Sequence, residues 1–226
     1  MQGVRERIEQ AAKRVGRDAD EIKLVAVSKT HSSNDIRRAI SAGIDAFGEN
    51  KVQEAEIKIE ELGRDAAEWR LIGHLQSNKA RKAVQLFDVI ESLDSVDLAK
   101  RLERICIEDG RSELRVFVEV DLAGEETKTG IAEDDLYELI RVLKHCVCLR
   151  LDGLMVLPPY SDDPQGSRPY FQRLRRIRDD LFAEGAFGAG RGELSMGMSH
   201  DFEAAIEEGS TVVRIGTAIF GSRQPD

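Results

Sequence analysis

Apolar residues along this chain follow two alternating patterns. Short runs in which nearly every position is apolar, such as KLVAVS at 23–28, are separated by longer stretches where apolar residues recur every three or four positions among Glu, Lys and Arg. The first pattern is that of a strand buried on both faces, and the second is that of a helix with one face on a core. On this reading strands lie at 23–28, 45–49, 69–74, 87–93, 114–122, 149–157, 192–197 and 211–216. Helices are expected at 2–15, 33–42, 51–62, 77–85, 95–108, 133–144, 168–183 and 200–208. A helix between successive strands returns the chain to the same edge, so neighbouring strands run parallel. Eight such units closing on themselves make a (β/α)8 TIM barrel with one extra helix at the amino terminus; an open doubly wound sheet is the alternative. GELSMG at 192–197 is the least strand-like segment, being short and glycine-rich. No linker or low-complexity stretch interrupts the alternation, so residues 1–226 read as a single domain.

Charge narrows the function classes. With 42 acidic against 33 basic residues, the net charge is -9. A general nucleic-acid binder needs a basic face to displace counterions, so that class is set aside, while a local basic pocket for a small anion stays open. Cys106, Cys146 and Cys148 are odd in number and lack zinc-ligand spacing, so no metal site is expected; they read as buried or half-buried thiols in a reducing cytosol. The amino-terminal MQGVRERIEQAAKRVGR is amphipathic and charged, without an apolar signal core. No stretch approaches the roughly 18 apolar residues of a membrane span, and the expectation is a soluble cytoplasmic protein.

A barrel makes a demand on the chemistry, which should gather at the carboxyl ends of the strands. The polar residues that interrupt apolar runs fall there: Lys29, Glu49 and Asn50, His74, Asp121, Ser195 and Arg214. A lysine directly after VAVS enters the barrel mouth with its stem against apolar walls. Desolvation lowers an amine pKa and frees the lone pair needed to condense with an aldehyde; alone, such a lysine is more often an ordinary loop residue. The pair ELSMGMSHDFEAAI and VVRIGTAIFGS occupies the loops where barrels build phosphate sites from backbone N–H groups. Ser199 stands at the N-cap position of the helix at 200–208, and Gly216 with Thr217 offers close backbone access and a hydroxyl. Asp201 and Glu203 must then point away from any phosphate. Arg214, in a strand otherwise of Val and Ile, needs an anion or an acceptor, which a structural ion pair also supplies. His74 taken alone reads as a hydrogen-bonded core histidine.

Seven segments converge on one family: LVAVSKT (24–30), FGENKVQE (47–54), WRLIGHLQSNK (69–79), GEETKTG (124–130), DGLMVLPPY (152–160), LSMGMSHDFEAAIEEG (194–209) and VRIGTAIFG (213–221). The sequence resembles the YggS/PROSC family of pyridoxal phosphate (PLP) homeostasis proteins over nearly its whole length. The resemblance implies a fold like the barrel domain of alanine racemase without that enzyme's second domain. It implies PLP as a Schiff base on Lys29, with the phosphate held by Ser199 and the backbone around Gly216 and Thr217. It places Arg214 at the pyridine nitrogen, with Asn50, His74 and Met196 lining the cofactor. Lys128 matches a family lysine and is a candidate secondary PLP contact. His31 stands where many relatives carry another lysine, and His200 where a small or acidic residue is common. These departures leave the Schiff base intact but remove the basis for a transfer role resting on a second lysine near Lys29.

Two functions follow from the resemblance. The first is a protein, expected to be a monomer, that buffers PLP or delivers it to PLP-requiring apoenzymes without robust turnover. The second is a PLP-dependent amino-acid racemase or a related fold-type III enzyme. An arginine beside the pyridine nitrogen keeps that nitrogen unprotonated and weakens the ring as an electron sink. Racemisation also needs a second base opposite Lys29. That base is normally a tyrosine from a further domain, whereas this chain stops five residues after Gly221. Of its tyrosines Tyr137, Tyr160 and Tyr170, only Tyr160 falls near the mouth, in a turn-like PPYSDDP setting. A cofactor open to solvent suits exchange better than protected catalysis, so the homeostasis reading is favoured. A phosphate-binding barrel enzyme without PLP is a third reading.

Overall fold

The computed structural model describes residues 2–124 and 129–221. Its strands are β1 (Lys23–Val27), β2 (Ala46–Glu49), β3 (Glu68–Leu71), β4 (Val89–Leu93), β5 (Leu114–Asp121), β6 (Ile131–Ala132), β7 (Leu149–Met155), β8 (Glu193–Met198) and β9 (Val212–Ile215). The pairings are parallel, β1 joins both β2 and β9, and β4 joins both β3 and β5. The ring therefore closes through β1–β2–β3–β4–β5–β7–β8–β9, and the two-residue β6 only extends the end of β5. Closure sets the open doubly wound sheet aside. The helices are α1 (Gln2–Arg14), α2 (Ser33–Ser41), α3 (Val52–Leu62), α4 (Ala80–Leu86), α5 (Val96–Asp109), α6 (Glu133–Leu143), α7 (Arg168–Ala183), α8 (Phe202–Glu207) and α9 (Thr217–Phe220).

The eight expected strands and eight expected helices are all present, and the differences lie at their ends. β3 stops at Leu71, so His74 lies three residues beyond it. The helix expected at 77–85 divides into a 3-10 turn, Ser77–Lys79, followed by α4. The helix expected from residue 200 starts at Phe202. Neither β6 nor α9 was expected as a regular element, since two or four residues are too few to show a period.

Strand alternation sorts the side chains into two populations. Ala26, Phe47, Trp69, Leu71, Ile90 and Leu194 belong to the large core between the strands and the surrounding helices. Val25, Ala46, Val89, Phe117, Met155 and Val212 form a separate apolar layer inside the barrel. Register carries this inner set upward, because Val25 pairs with Arg214 and Met155 with Ser195. The interior is thus apolar in one layer and ionic in the next. Outside, α1 lays Val4, Ile8, Ala11 and Ala12 against Phe202, Ile206, Val213 and Ile215. The spacing of those four residues is that of one helix face. Arg7 adds a cation–π contact 4.5 Å from the Phe202 ring centroid. Among the described residues no helix is long and apolar enough to cross a membrane.

Candidate functional site

The carboxyl end of β1 sets the first wall of the mouth. Ser28 extends the ladder through its N–H to Gly48 O (3.1 Å), while its hydroxyl donates to Glu49 Oε1 (2.6 Å) on the helix side of the sheet. Lys29 follows Ser28 directly at this strand end and is half-buried. Lys29 and Thr30 are the central residues of a turn closed by the His31 N–H on Ser28 O at 3.1 Å. Thr30 has φ 66, a left-handed conformation in a β-branched residue, at a cost of about 1–3 kcal/mol. Burial pushes the fully enclosed Glu49 carboxyl above its ordinary range despite the neighbouring Lys58 ammonium. The His31 ring stacks on Phe220 with centroids 4.5 Å apart, tying this turn to α9.

The opposite wall is built from β8 and β9. Ser199 Oγ accepts from the N–H groups of Gly216 (3.2 Å) and Ala218 (3.5 Å). Ser199 is therefore not the N-cap of the following helix, as the sequence suggested. Asp201 holds that position, accepting the Met198 N–H at 2.7 Å and donating its own N–H to Met198 O at 3.1 Å. Gly197 permits this tight path: it has φ 94, and a Cβ there would sit 2.5 Å from the Ala205 Cβ. With Asp201 turned to Met198 and Glu203 paired to Arg7 at 3.1 Å, both carboxylates that had to avoid an anion are engaged elsewhere. Thr217 opens α9 and is exposed.

Between the walls runs a buried ionic chain. Arg214 Nη1 donates to Ser195 Oγ (2.6 Å) and Nη2 to Val156 O (2.9 Å). Ser195 in turn donates to Glu91 Oε2 (2.5 Å), and Arg70 Nη1 lies 2.8 Å from Glu91 Oε1. Burial pulls the Arg214 pKa down, against the pull of Glu91 and Glu119. Glu119 accepts the Thr129 hydroxyl at 2.8 Å and is pushed up by burial. Charges at this depth persist only when paired.

His74 and Asn50 are neighbours because Gly73 lets two backbones touch, since a Cβ on Gly73 would lie 2.4 Å from Asn50 O. His74 is not the core histidine that a lone reading gives. Its side chain is 49% exposed and its Nδ1 lies 3.1 Å from Asp94 Oδ2. Asn50 Oδ1 is buried without a protein partner, an acceptor left for a donor from outside the chain. Met196 corrects an expectation. It lies in the core between strands and helices with Leu194, Ala204 and Ala205, because alternation along β8 gives the interior position to Ser195. Asp121 is consumed by its own turn, accepting the N–H groups of Ala123 and Gly124. His200 faces Asp162 O (3.1 Å) and the Tyr160 ring (5.9 Å). Lys128 lies outside the described residues.

Some partners were missed from the sequence, namely Lys58 and Glu54 on α3, and Arg70, Glu91 and Glu119 inside the barrel. The last three carried the signal that singled out Arg214, a charge in an otherwise apolar strand. Those on α3 resembled a solvated helix face. As expected, Cys106 and Cys148 are buried and Cys146 half-buried. Burial pushes the Cys106 and Cys146 thiols up to about 11, so they stay protonated and unreactive near neutral pH. A cleft of about 1150 Å³ lined by Arg5, Lys13, Lys23, Asp45 and Glu193 opens at the amino ends of the strands, away from Lys29. Its charges are mixed in sign.

Comparison with known proteins bears out the fold. The family model "Alanine racemase, N-terminal domain" matches residues 1–224. A pyridoxal phosphate homeostasis protein of Aquifex aeolicus is 42% identical, over 98% of this chain and 96% of its own length. PipY of Synechococcus elongatus is 39% identical. Its structure without PLP has a TM-score of 0.85, covering 96% of this chain and 99% of PipY. Its structure with PLP bound has a TM-score of 0.83, covering 95% of this chain and 100% of PipY. Alanine racemase of Corynebacterium glutamicum shares the fold at TM-score 0.66 and 17% identity, over 97% of this chain and 61% of the enzyme.

Proposed function

This chain belongs to the pyridoxal phosphate homeostasis proteins, within the alanine racemase N-terminal domain family, and from that premise we propose that it holds PLP on Lys29 as a cytoplasmic carrier of the cofactor. The observation that carries the proposal is that the lysine turn after β1, the buried arginine on β9 with the amides that follow it, and the serine after β8 on which those amides converge lie at the ends of three adjacent strands. PipY, 39% identical, has been solved with PLP bound. Lys29 would hold the cofactor through its amine, which would condense with the aldehyde, C=N replacing C=O with release of one water.

The chain's own groups then divide the work. Ser199 and the backbone of Gly216 and Thr217 would receive the phosphate, the N–H groups of Gly216 and Ala218 being gathered there on Ser199 Oγ. Arg214 stands at the pyridine nitrogen. Two of its N–H groups are spent on Ser195 and Val156, leaving others to donate. A donor there disfavours protonation of the ring nitrogen and so weakens carbanion stabilisation, which supports carriage over catalysis. Asn50 and His74 line the remaining side, with Asn50 Oδ1 an acceptor for a ligand hydroxyl. No tyrosine among the described residues is set as a second base, since Tyr137 and Tyr170 lie on α6 and α7 and Tyr160 is 81% exposed. The carrier acts as a monomer, and apoenzymes that require PLP are its recipients.

Incubation with PLP should produce a visible imine absorbance, and borohydride should fix the adduct on Lys29 by mass spectrometry. Lys29→Ala should lose it; an adduct that persists at this position's turn or elsewhere in the mouth refutes the assignment. A protein that stays colourless with excess PLP favours a phosphate-binding barrel of another kind. Turnover of D- or L-amino acids at about 1–10³ per second would overturn the carrier reading in favour of a racemase or decarboxylase.

A further inference from the structure

We propose that Lys58 and Glu54, both on α3, are positioning residues that clamp the two peptide groups flanking Lys29 and so fix the direction of its side chain. The inference rests on the reading of Lys29 as the PLP anchor. The Lys58 ammonium has three N–H donors and spends each on a different acceptor: Ser28 O (2.7 Å), Glu49 Oε1 (2.7 Å) and Glu54 Oε1 (2.6 Å). Glu54 Oε1 also receives the Thr30 N–H at 2.5 Å. Ser28 C=O belongs to the peptide unit before the Lys29 Cα, and Thr30 N–H to the unit after it. One ammonium and one carboxylate therefore bridge the two planes. The torsions of Lys29 are the rotations between those planes, so the bridge sets where its Cα–Cβ bond points.

Two further observations favour positioning over simple packing. The turn places Thr30, not glycine, at φ 66, a conformation that a β-branched residue keeps only when its surroundings impose it. Lys58 is also a costly way to pack α3. Its side chain is 7% exposed, and Val52, Ala55 and Ile59 already give the helix an apolar face. Replacing a buried ion pair by apolar residues is commonly neutral or stabilising, whereas only a charged or polar group can grip a carbonyl and a carboxylate together.

The test compares wild type, Lys58→Met, Glu54→Ala and the double variant Lys58→Met with Thr30→Gly. Amide exchange at residues 28–31 is read without cofactor, and borohydride-trapped PLP on Lys29 is read with it. Lys58→Met should speed exchange of the Thr30 and His31 amides and slow adduct formation between about tenfold and a hundredfold, the penalty of a misplaced reacting group. Glycine accepts φ 66 without strain, so the double variant should recover much of the adduct rate while the urea midpoint stays low. Should Lys58→Met fail to fold, Glu54→Ala, a partly exposed site, still severs the Thr30 tie and should speed exchange there. Unchanged exchange and adduct rates, or a loss of adduct that Thr30→Gly does not relieve, would overturn the clamp. If wild type forms no adduct, the PLP reading fails by itself, and exchange in the cofactor-free protein still decides the clamp.

Discussion

The two walls of the barrel mouth are held by opposite means. On the β1 side, the Lys29 turn depends on side chains reaching in from β2 and α3, where buried Glu49 and Lys58 share hydrogen bonds with half-buried Glu54. On the β8–β9 side, the N–H groups of Gly216 and Ala218 do the work and Ser199 contributes one hydroxyl. Ionic side chains in a low-dielectric setting are strong only as a complete set, because removing one member strands the others. Backbone amides survive almost any substitution that leaves the turn intact. A covalent anchor needs a fixed trajectory, while a phosphate with three oxygens tolerates a less exact cradle, and the division of labour matches those needs.

The sharpest way to break this comparison is to remove one charge. Glu49→Ala takes from Lys58 one of its two carboxylates and from Ser28 its acceptor. It should cost about 3–5 kcal/mol, read as a lower urea midpoint at unchanged slope. A loss below about 1 kcal/mol, the value for surface pairs, would mean that the β1 wall is no more ionic in its energetics than the other. Ser195→Ala should follow at about 1–3 kcal/mol, because it deprives both Glu91 Oε2 and Arg214 Nη1 of a buried partner. A cost near zero in the same melt would show that Arg214 finds another acceptor without strain.

How far these walls were legible in the sequence follows from the same contrast. The barrel was readable because eight apolar runs alternate with amphipathic helices, and Lys29, Ser199, Arg214 and Gly216 each stand at or beside a strand end. Met196 misled because its role came from the resemblance and not from strand parity; Glu193 and Ser195 alternate with Leu194 and Met196 along β8, and Ser195, one residue earlier, faces the interior. Lys58 and Glu54 were invisible for a different reason. Residues 52–62 carry four glutamates and one lysine, and whether that lysine is buried depends on β2 delivering Glu49 to the same point. Ser199 kept its place but changed its role, since the choice between capping its own helix and accepting from Gly216 is made by a loop seventeen residues away.

Acid offers a gentler probe of the β1 wall. Partial burial raises the Glu54 carboxyl, but Lys58 and the Thr30 N–H prevail and hold it below its ordinary range. A carboxyl depressed in the folded state adds stability that is present above its unfolded pKa and is lost as pH falls through the folded value. The stability difference between wild type and Glu54→Gln should therefore be widest near pH 7 and shrink as pH falls below the ordinary carboxylate range. Glu49, raised by burial, has the opposite sign, so the difference between the two proteins isolates Glu54 where a single profile does not. A gap that is constant with pH would detach Glu54 from the charge network.

The smallest effect belongs to the β8–β9 wall. Ser199→Ala removes one acceptor from two N–H groups, of which Ala218 is exposed and Gly216 half-buried. Water replaces the lost oxygen at such a site, so the expected cost to folding is within about 1 kcal/mol. Both amides persist in the variant and still point into the mouth. Phosphate affinity, measured by competition of inorganic phosphate with PLP, should fall about threefold to thirtyfold, the worth of one hydroxyl hydrogen bond, and should not vanish. Abolished binding would make Ser199, rather than the backbone, the principal phosphate ligand and would remove the contrast between the walls. Retained binding with an unchanged melt leaves Lys29 and its charged supports as the part of the mouth most vulnerable to a single substitution.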